Sequence, residues 1–172
     1  MPQKLAARLL KPHHDRIAQA VARQIRRTVP RYEQVEPIAL ERNLKTVLRG
    51  VQRLLEQGDG ATLLRVLEDV AQLRSSTGFQ VSELLLAAMC FNPVVRRFLV
   101  GSAPTVGEGL AAWEAVESVT LPLFGQLVDL FLDSEDEVTP PFGHRLPPTT
   151  SDGFLLPLTI ESVLEDEEIT PV

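Results

Sequence analysis

With 172 residues, 44% of them hydrophobic and 23% charged, the chain is long enough to bury one core; with aromatics at 5%, that core must be Leu, Val, Ile and Ala, which favours helices over a β-sandwich. The single cysteine, Cys90, excludes an internal disulfide framework, and no second Cys or nearby His gives it metal-site spacing. The net charge of -6 divides by sign, because residues 1–53 carry 12 Lys/Arg against 4 Asp/Glu and the remaining residues carry 5 against 19.

The first residues, "MPQKLAARLLKPHHD", are interrupted by charge and Pro before an apolar stretch reaches signal-peptide length. No later window reaches about 18 uncharged apolar residues. A cytoplasmic protein with no membrane partner is the expectation. From Pro12, the spacing of Ile17, Val21, Ile25 and Val29 predicts a helix with one apolar stripe, ended by Pro30. Its other faces carry Arg23, Arg26 and Arg27, and Arg31 follows just past its end. That basic cluster invites a nucleic-acid reading. Against it, no aromatics are interleaved and ten acids between Asp133 and the end of the chain compete for the same patch, so the expected partner is another protein and not a nucleic acid.

A second helix opens at Glu36-Pro37 and runs through Leu40, Leu44, Val47, Leu48, Val51, Leu54 and Leu55 to the turn "QGDG". Asp59 or Thr62 caps the third, whose core positions are Leu63, Leu67, Val70 and Ala71. Gly78, in "RSSTGF", suits a positive-φ site just past its end. The fourth begins near Ser82 as "SELLLAAMCF", apolar on nearly every face and so expected at the centre, with Pro93 kinking or splitting it. The fifth holds Leu110, Trp113, Val116, Leu121, Phe124, Leu127, Val128 and Phe131, with an interruption at Pro122. No stretch alternates as a strand would. The expected fold is all-α, a single five-helix bundle over residues 1–132.

After Asp133 the texture changes to acids, Pro pairs and small polar residues, a composition too poor in apolar surface to offset the entropy of ordering. Residues 133–172 are expected to form a disordered, acidic, Pro-rich tail. Its last part, "FLLPLTIESVLEDEE", again concentrates apolar residues, and a short amphipathic helix over 159–168 would place Ile160, Val163 and Leu164 on one face. Together with Leu158 these residues suit a helix-in-groove docking segment, with the acids meeting a basic rim such as Arg23, Arg26, Arg27 and Arg31.

Catalytic chemistry finds little support. His13 and His14 fall at a helix start expected to face solvent, and His144 lies in the Pro-rich stretch. Cys90 reads as a small buried hydrophobe. There is no phosphate-cradling Gly loop and no Ser-centred elbow. A haem pocket would need a proximal His in a late helix, and none stands between Ser82 and Phe131. No enzyme activity, cofactor or metal is expected.

Three stretches, "TVPRYEQV" (28–35), "LERNLKTVLRGVQRLLEQGD" (40–59) and "LRSSTGFQVSELLLA" (73–87), resemble the N-terminal domain of the RsbT co-antagonist proteins. The matching elements are Pro30 and Tyr32, then Gly58 and Asp59 closing the Leu-rich helix, then Arg74, Gly78 and Phe79. The resemblance implies an all-α, non-enzymatic bacterial input or interaction module able to form a homodimer. No output domain of the kind that follows such modules is visible, so the expectation is a signalling or regulatory adaptor acting through a protein partner. The alternative is a structural component that oligomerises through the bundle and links copies by its tail.

Overall fold

The computed structural model describes residues 1–137, with side chains to Ser134. Seven α-helices and two short 3-10 turns account for nearly all of it, and no strand occurs among the described residues. The helices are α1 (Pro2–Leu10), α2 (His14–Thr28), α3 (Pro37–Gln57), α4 (Ala61–Ser76), α5 (Val81–Met89), α6 (Phe91–Ser102) and α7 (Val106–Glu137). Five of them have 12 residues or more, and α1 and α5 have nine each. From residue 138 on, the expected tail, including Leu158, Ile160, Val163, Leu164 and the helix at 159–168, lies outside the described residues.

Where a stripe is clear in the sequence, burial follows it. Ile17, Val21, Ile25 and Val29 are all buried, as are Leu40, Leu48, Val51 and Leu55 of α3 and Leu63, Leu67 and Ala71 of α4. Val29 is extended, as a residue preceding Pro30 must tend to be, and α2 therefore stops at Thr28. Gly58 closes α3 at φ 72°, and Asp59 Oδ1 accepts the Ala61 N–H at 3.0 Å, so Asp59 rather than Thr62 satisfies the exposed start of α4. The Lys45 ammonium pairs with the Asp15 carboxylate and links α3 to α2.

Several expectations need correction. Helix α1 precedes the first helix read from the sequence, and it buries Ala6, Ala7 and Leu10 completely. The apolar run after Ser82 is not the central helix. It is split, as the proline suggested, with the break at Cys90 between α5 and α6, which puts Pro93 in the first turn of α6, where a missing N–H costs nothing. Leu85, Leu86 and Met89 of α5 are 39%, 46% and 58% exposed.

The centre is α7, which packs against α1, α3, α4, α5 and α6. It runs unbroken through Pro122. Pro122 and the preceding-turn residue Ser118 are both exposed, so the carbonyl left without an N–H partner is on the solvent face and water can serve it. Leu121 beside it is 55% exposed, not part of the core. The helix also extends past the expected boundary at Asp133, to Glu137.

Val81–Ser102 and Val106–Ser134 have the length and mean hydropathy (1.5 and 1.4) of membrane spans. These segments place Leu84, Phe91, Val95, Leu99, Val116 and Phe131 in the bundle core, with 33% and 28% of their most apolar windows buried.

His13 and His14 are half-buried, not solvent-facing. The His13 ring lies 6.3 Å from that of Phe98, and His14 Nε2 is inaccessible and has no hydrogen-bond partner. Burial, and then the positive charge of Arg49, push the His14 pKa below its ordinary 6.5. The unfolded chain therefore binds this proton more readily than the folded one, so His14 leaves stability level above pH 6.5 and lowers it as pH falls below that value. Urea unfolding of the wild-type chain is expected to show a larger loss of stability between pH 7.5 and pH 5 than His14→Gln. Equal losses would show that other groups carry the dependence.

A candidate binding cavity beside a buried arginine

The end of α4 builds the site. "RSSTGF" closes the helix with Gly78 at φ 73°, the Phe79 N–H donating to the Arg74 carbonyl at 3.0 Å and the Gly78 N–H to the Ser75 carbonyl at 3.0 Å. These two bonds define a Schellman ending, which brings the residue after the glycine back against the one five positions earlier. Phe79 and Arg74 thereby become neighbours, with the Arg74 guanidinium carbon 5.0 Å from the Phe79 ring centroid.

The 3-10 turn Pro30–Gln34 supplies the other half. It buries Tyr32, whose ring meets Phe79 edge-on at 4.9 Å and whose centroid is also 5.0 Å from the Arg74 guanidinium carbon. Arg31 lies over the outer side of Phe79 at 5.4 Å and pairs with Glu83 at 3.6 Å. Glu83 in turn accepts the Gln80 N–H at 2.9 Å, the capping contact that starts α5. The turn after α2, the end of α4 and the start of α5 are thus tied at one point. Burial raises the Tyr32 pKa and the Arg74 charge opposes that rise.

Arg74 is only 6% exposed, its Nε is inaccessible, and that Nε has no hydrogen-bond partner. No carboxylate forms an ion pair with it among the described residues; Glu83, on the adjoining helix, is engaged by Arg31. Desolvating an unpaired guanidinium costs several kcal/mol, whereas each cation–π contact returns about 0.5–2 kcal/mol. The two aromatic rings offset part of the cost.

Arg74 and Tyr32 also form one wall of a half-open cavity of about 100 Å³. The remaining walls are almost wholly apolar. They come from α3 (Leu44, Val47), α4 (Leu67, Val70), α5 (Leu84, Ala88) and α7 (Leu123, Phe124, Leu127). Thr120 adds a hydroxyl within hydrogen-bond reach of Asn92 at 3.2 Å. The arrangement can bind an apolar group beside a cation. Among the described residues, no group of three or more His, Cys, Asp and Glu is placed to hold a metal ion.

The basic residues singled out in the sequence differ in what they contact. Arg23 and Arg27 are exposed, one turn apart on α2. Arg26 is half-buried and donates to the Glu33 carbonyl at 3.3 Å, and Arg31 is committed to Glu83 and Phe79. Cys90 is buried, 7% exposed. Sequence reasoning missed the cavity and the burial of Arg74. The turn signal "RSSTGF", which predicts a chain reversal onto Arg74, was the available clue. Comparison with protein-family models, with curated proteins and with solved structures finds no match to this chain.

Proposed function

We propose that this chain is a bacterial signalling or regulatory adaptor that works by recognising another protein and carries out no chemistry of its own. The observation that carries the reading is the outer face of α5. Leu84 and Ala87 face the core, while Leu85, Leu86 and Met89 stand together on the opposite side, exposed to solvent. Large apolar side chains grouped on a rigid element are the usual anchor of a protein interface. The helix is held in place by its capping contact and by the Arg31–Glu83 pair, so the face is presented without an ordering cost.

The resemblance to the RsbT co-antagonist N-terminal domain supports the same reading. Of its elements, Pro30, Tyr32, Arg74, Gly78 and Phe79 lie at the junction that positions α5, while Gly58 and Asp59 stand at the turn between α3 and α4. The segment containing Leu158, Ile160, Val163 and Leu164 is a second binding element in this proposal, with the exposed Arg23 and Arg27 as the free part of a complementary basic surface.

The test is site-specific photocrosslinking in cells from position 89, in the wild-type background and in Leu86→Glu, alongside sedimentation of the purified chain at rising concentration. Leu86→Glu is expected to change stability by no more than about 0.5 kcal/mol, as an exposed substitution does, and to abolish a discrete crosslinked product. The purified chain is expected to sediment as a monomer or dimer at all concentrations. A crosslink that survives Leu86→Glu sinks the interface. Growth into large species would replace the adaptor with an assembly component.

A further inference from the structure

We infer that the cavity beside Arg74 is a receptor site for a small organic carboxylate with a short alkyl tail. Two independent observations converge on it. The first is the open apolar space, about 100 Å³, walled by side chains of α3, α4, α5 and α7. A cavity of roughly 150 Å³ with comparable lining takes up benzene, so the smaller, half-open space here suits a chain of a few carbons whose end reaches the opening. The second is the guanidinium of Arg74, more than nine-tenths buried and paired with no carboxylate among the described residues.

A guanidinium in this position selects its ligand by charge and geometry. Two rings, Tyr32 and Phe79, lie 5.0 Å from it and Tyr32 shares a side-chain hydrogen bond with it, while its charge and its remaining donors meet no carboxylate among the described residues. A carboxylate matches those donors, and its bonds to them are charge-assisted and shielded from water. A neutral ligand of the same shape would fill the apolar space and leave the guanidinium charge without a counterion. A cationic one would be repelled. The nearest competing anion, Glu83, is neutralised by Arg31 and by the Gln80 N–H, so the site does not supply its own counterion.

The inference is independent of the partner-binding face, because the cavity is lined by the inner residues Leu84 and Ala88 of α5 while the face uses Leu85, Leu86 and Met89.

The experiment is a titration of the isotope-labelled full chain with hexanoate and, separately, with 1-hexanol, followed by NMR at the methyls of Leu67, Ala88 and Leu127. Hexanoate is expected to shift these signals saturably and to bind at least about ten-fold more tightly than hexanol, the advantage of hydrogen bonds to a charged group. Arg74→Met should bring the two ligands to equal affinity by weakening hexanoate alone. Ala88→Leu, which fills the cavity without touching the arginine, should weaken both, and it keeps the site testable if Arg74→Met does not fold. Equal affinities in the wild-type chain would overturn the proposal, as would shifts confined to residues outside the cavity. A third overturning result is a set of cross-peaks between the cavity methyls and residues 154–164 that hexanoate does not displace, which would assign the space to the chain's own apolar segment.

Discussion

Phe131→Ala is expected to destabilise the bundle by about 3–5 kcal/mol, the range for deleting a buried aromatic ring and leaving its cavity. Phe131 is completely buried although it lies only six residues from the end of the described helix. The burial follows from the position of α7, which runs through the middle of the bundle and packs against α1, α3, α4, α5 and α6. Removing the ring leaves several helices facing a void, and close-packed interiors relax only partly to fill one. Against a total stability of about 5–15 kcal/mol, the loss is a large fraction. In urea the midpoint should fall with little change in slope, since the same surface is exposed on unfolding. Leu132, adjacent in sequence but 45% exposed, is the control, and Leu132→Ala should shift the midpoint far less. Similar shifts for both variants would mean that the end of α7 frays in solution and that the core closes earlier in the chain.

The contrast between those neighbours shows what the sequence reveals and what it hides. Helices α2, α3 and α4 were legible because each has a polar side, and the apolar residues on the other side declare which way the helix faces. Helix α5 has no such polarity. Leu84, Leu85, Leu86, Ala87, Ala88 and Met89 offer several equivalent faces to a core, and only the bundle decides that Leu84 and Ala87 go inward. Pro122 misleads for a related reason. A proline inside a helix is disruptive when the carbonyl it strands is buried, and the face that carries Ser118 and Pro122 became known only with the fold.

The site was harder still. The basic cluster is close in sequence, yet Arg26 donates to the Glu33 carbonyl and Arg31 pairs with Glu83, while Arg23 and Arg27 have no hydrogen bond or ion pair among the described residues. Arg74 looked like an ordinary last-turn cation suited to a helix dipole. Beside it stands Tyr32 from the turn before α3, a long-range contact that no local pattern encodes. The Schellman ending at Gly78 was readable, but the identity of the residue it would trap against Phe79 acquired meaning only once Tyr32 was in place.

Leu10→Ala is expected to cost about 2–5 kcal/mol, which makes α1 an integral part of the core. This helix escaped the sequence reading because two of its three buried residues are Ala6 and Ala7, which mark no apolar stripe. Their small size is the reason α1 matters. Alanines with no exposed surface allow the helix to settle closely on α3, α6 and α7, and that close approach seals Leu10 in the interior. Two opposite substitutions should therefore both destabilise. Leu10→Ala opens a cavity, while Ala7→Leu inserts bulk where none fits and is expected to cost about 1–3 kcal/mol. Arg8→Ala, on the exposed side of the same helix, should stay within about 0.5 kcal/mol. Urea unfolding of the three variants checks the set. If Ala7→Leu is neutral and Leu10→Ala costs less than about 1 kcal/mol, α1 is not docked in solution, and the bundle core must close without it.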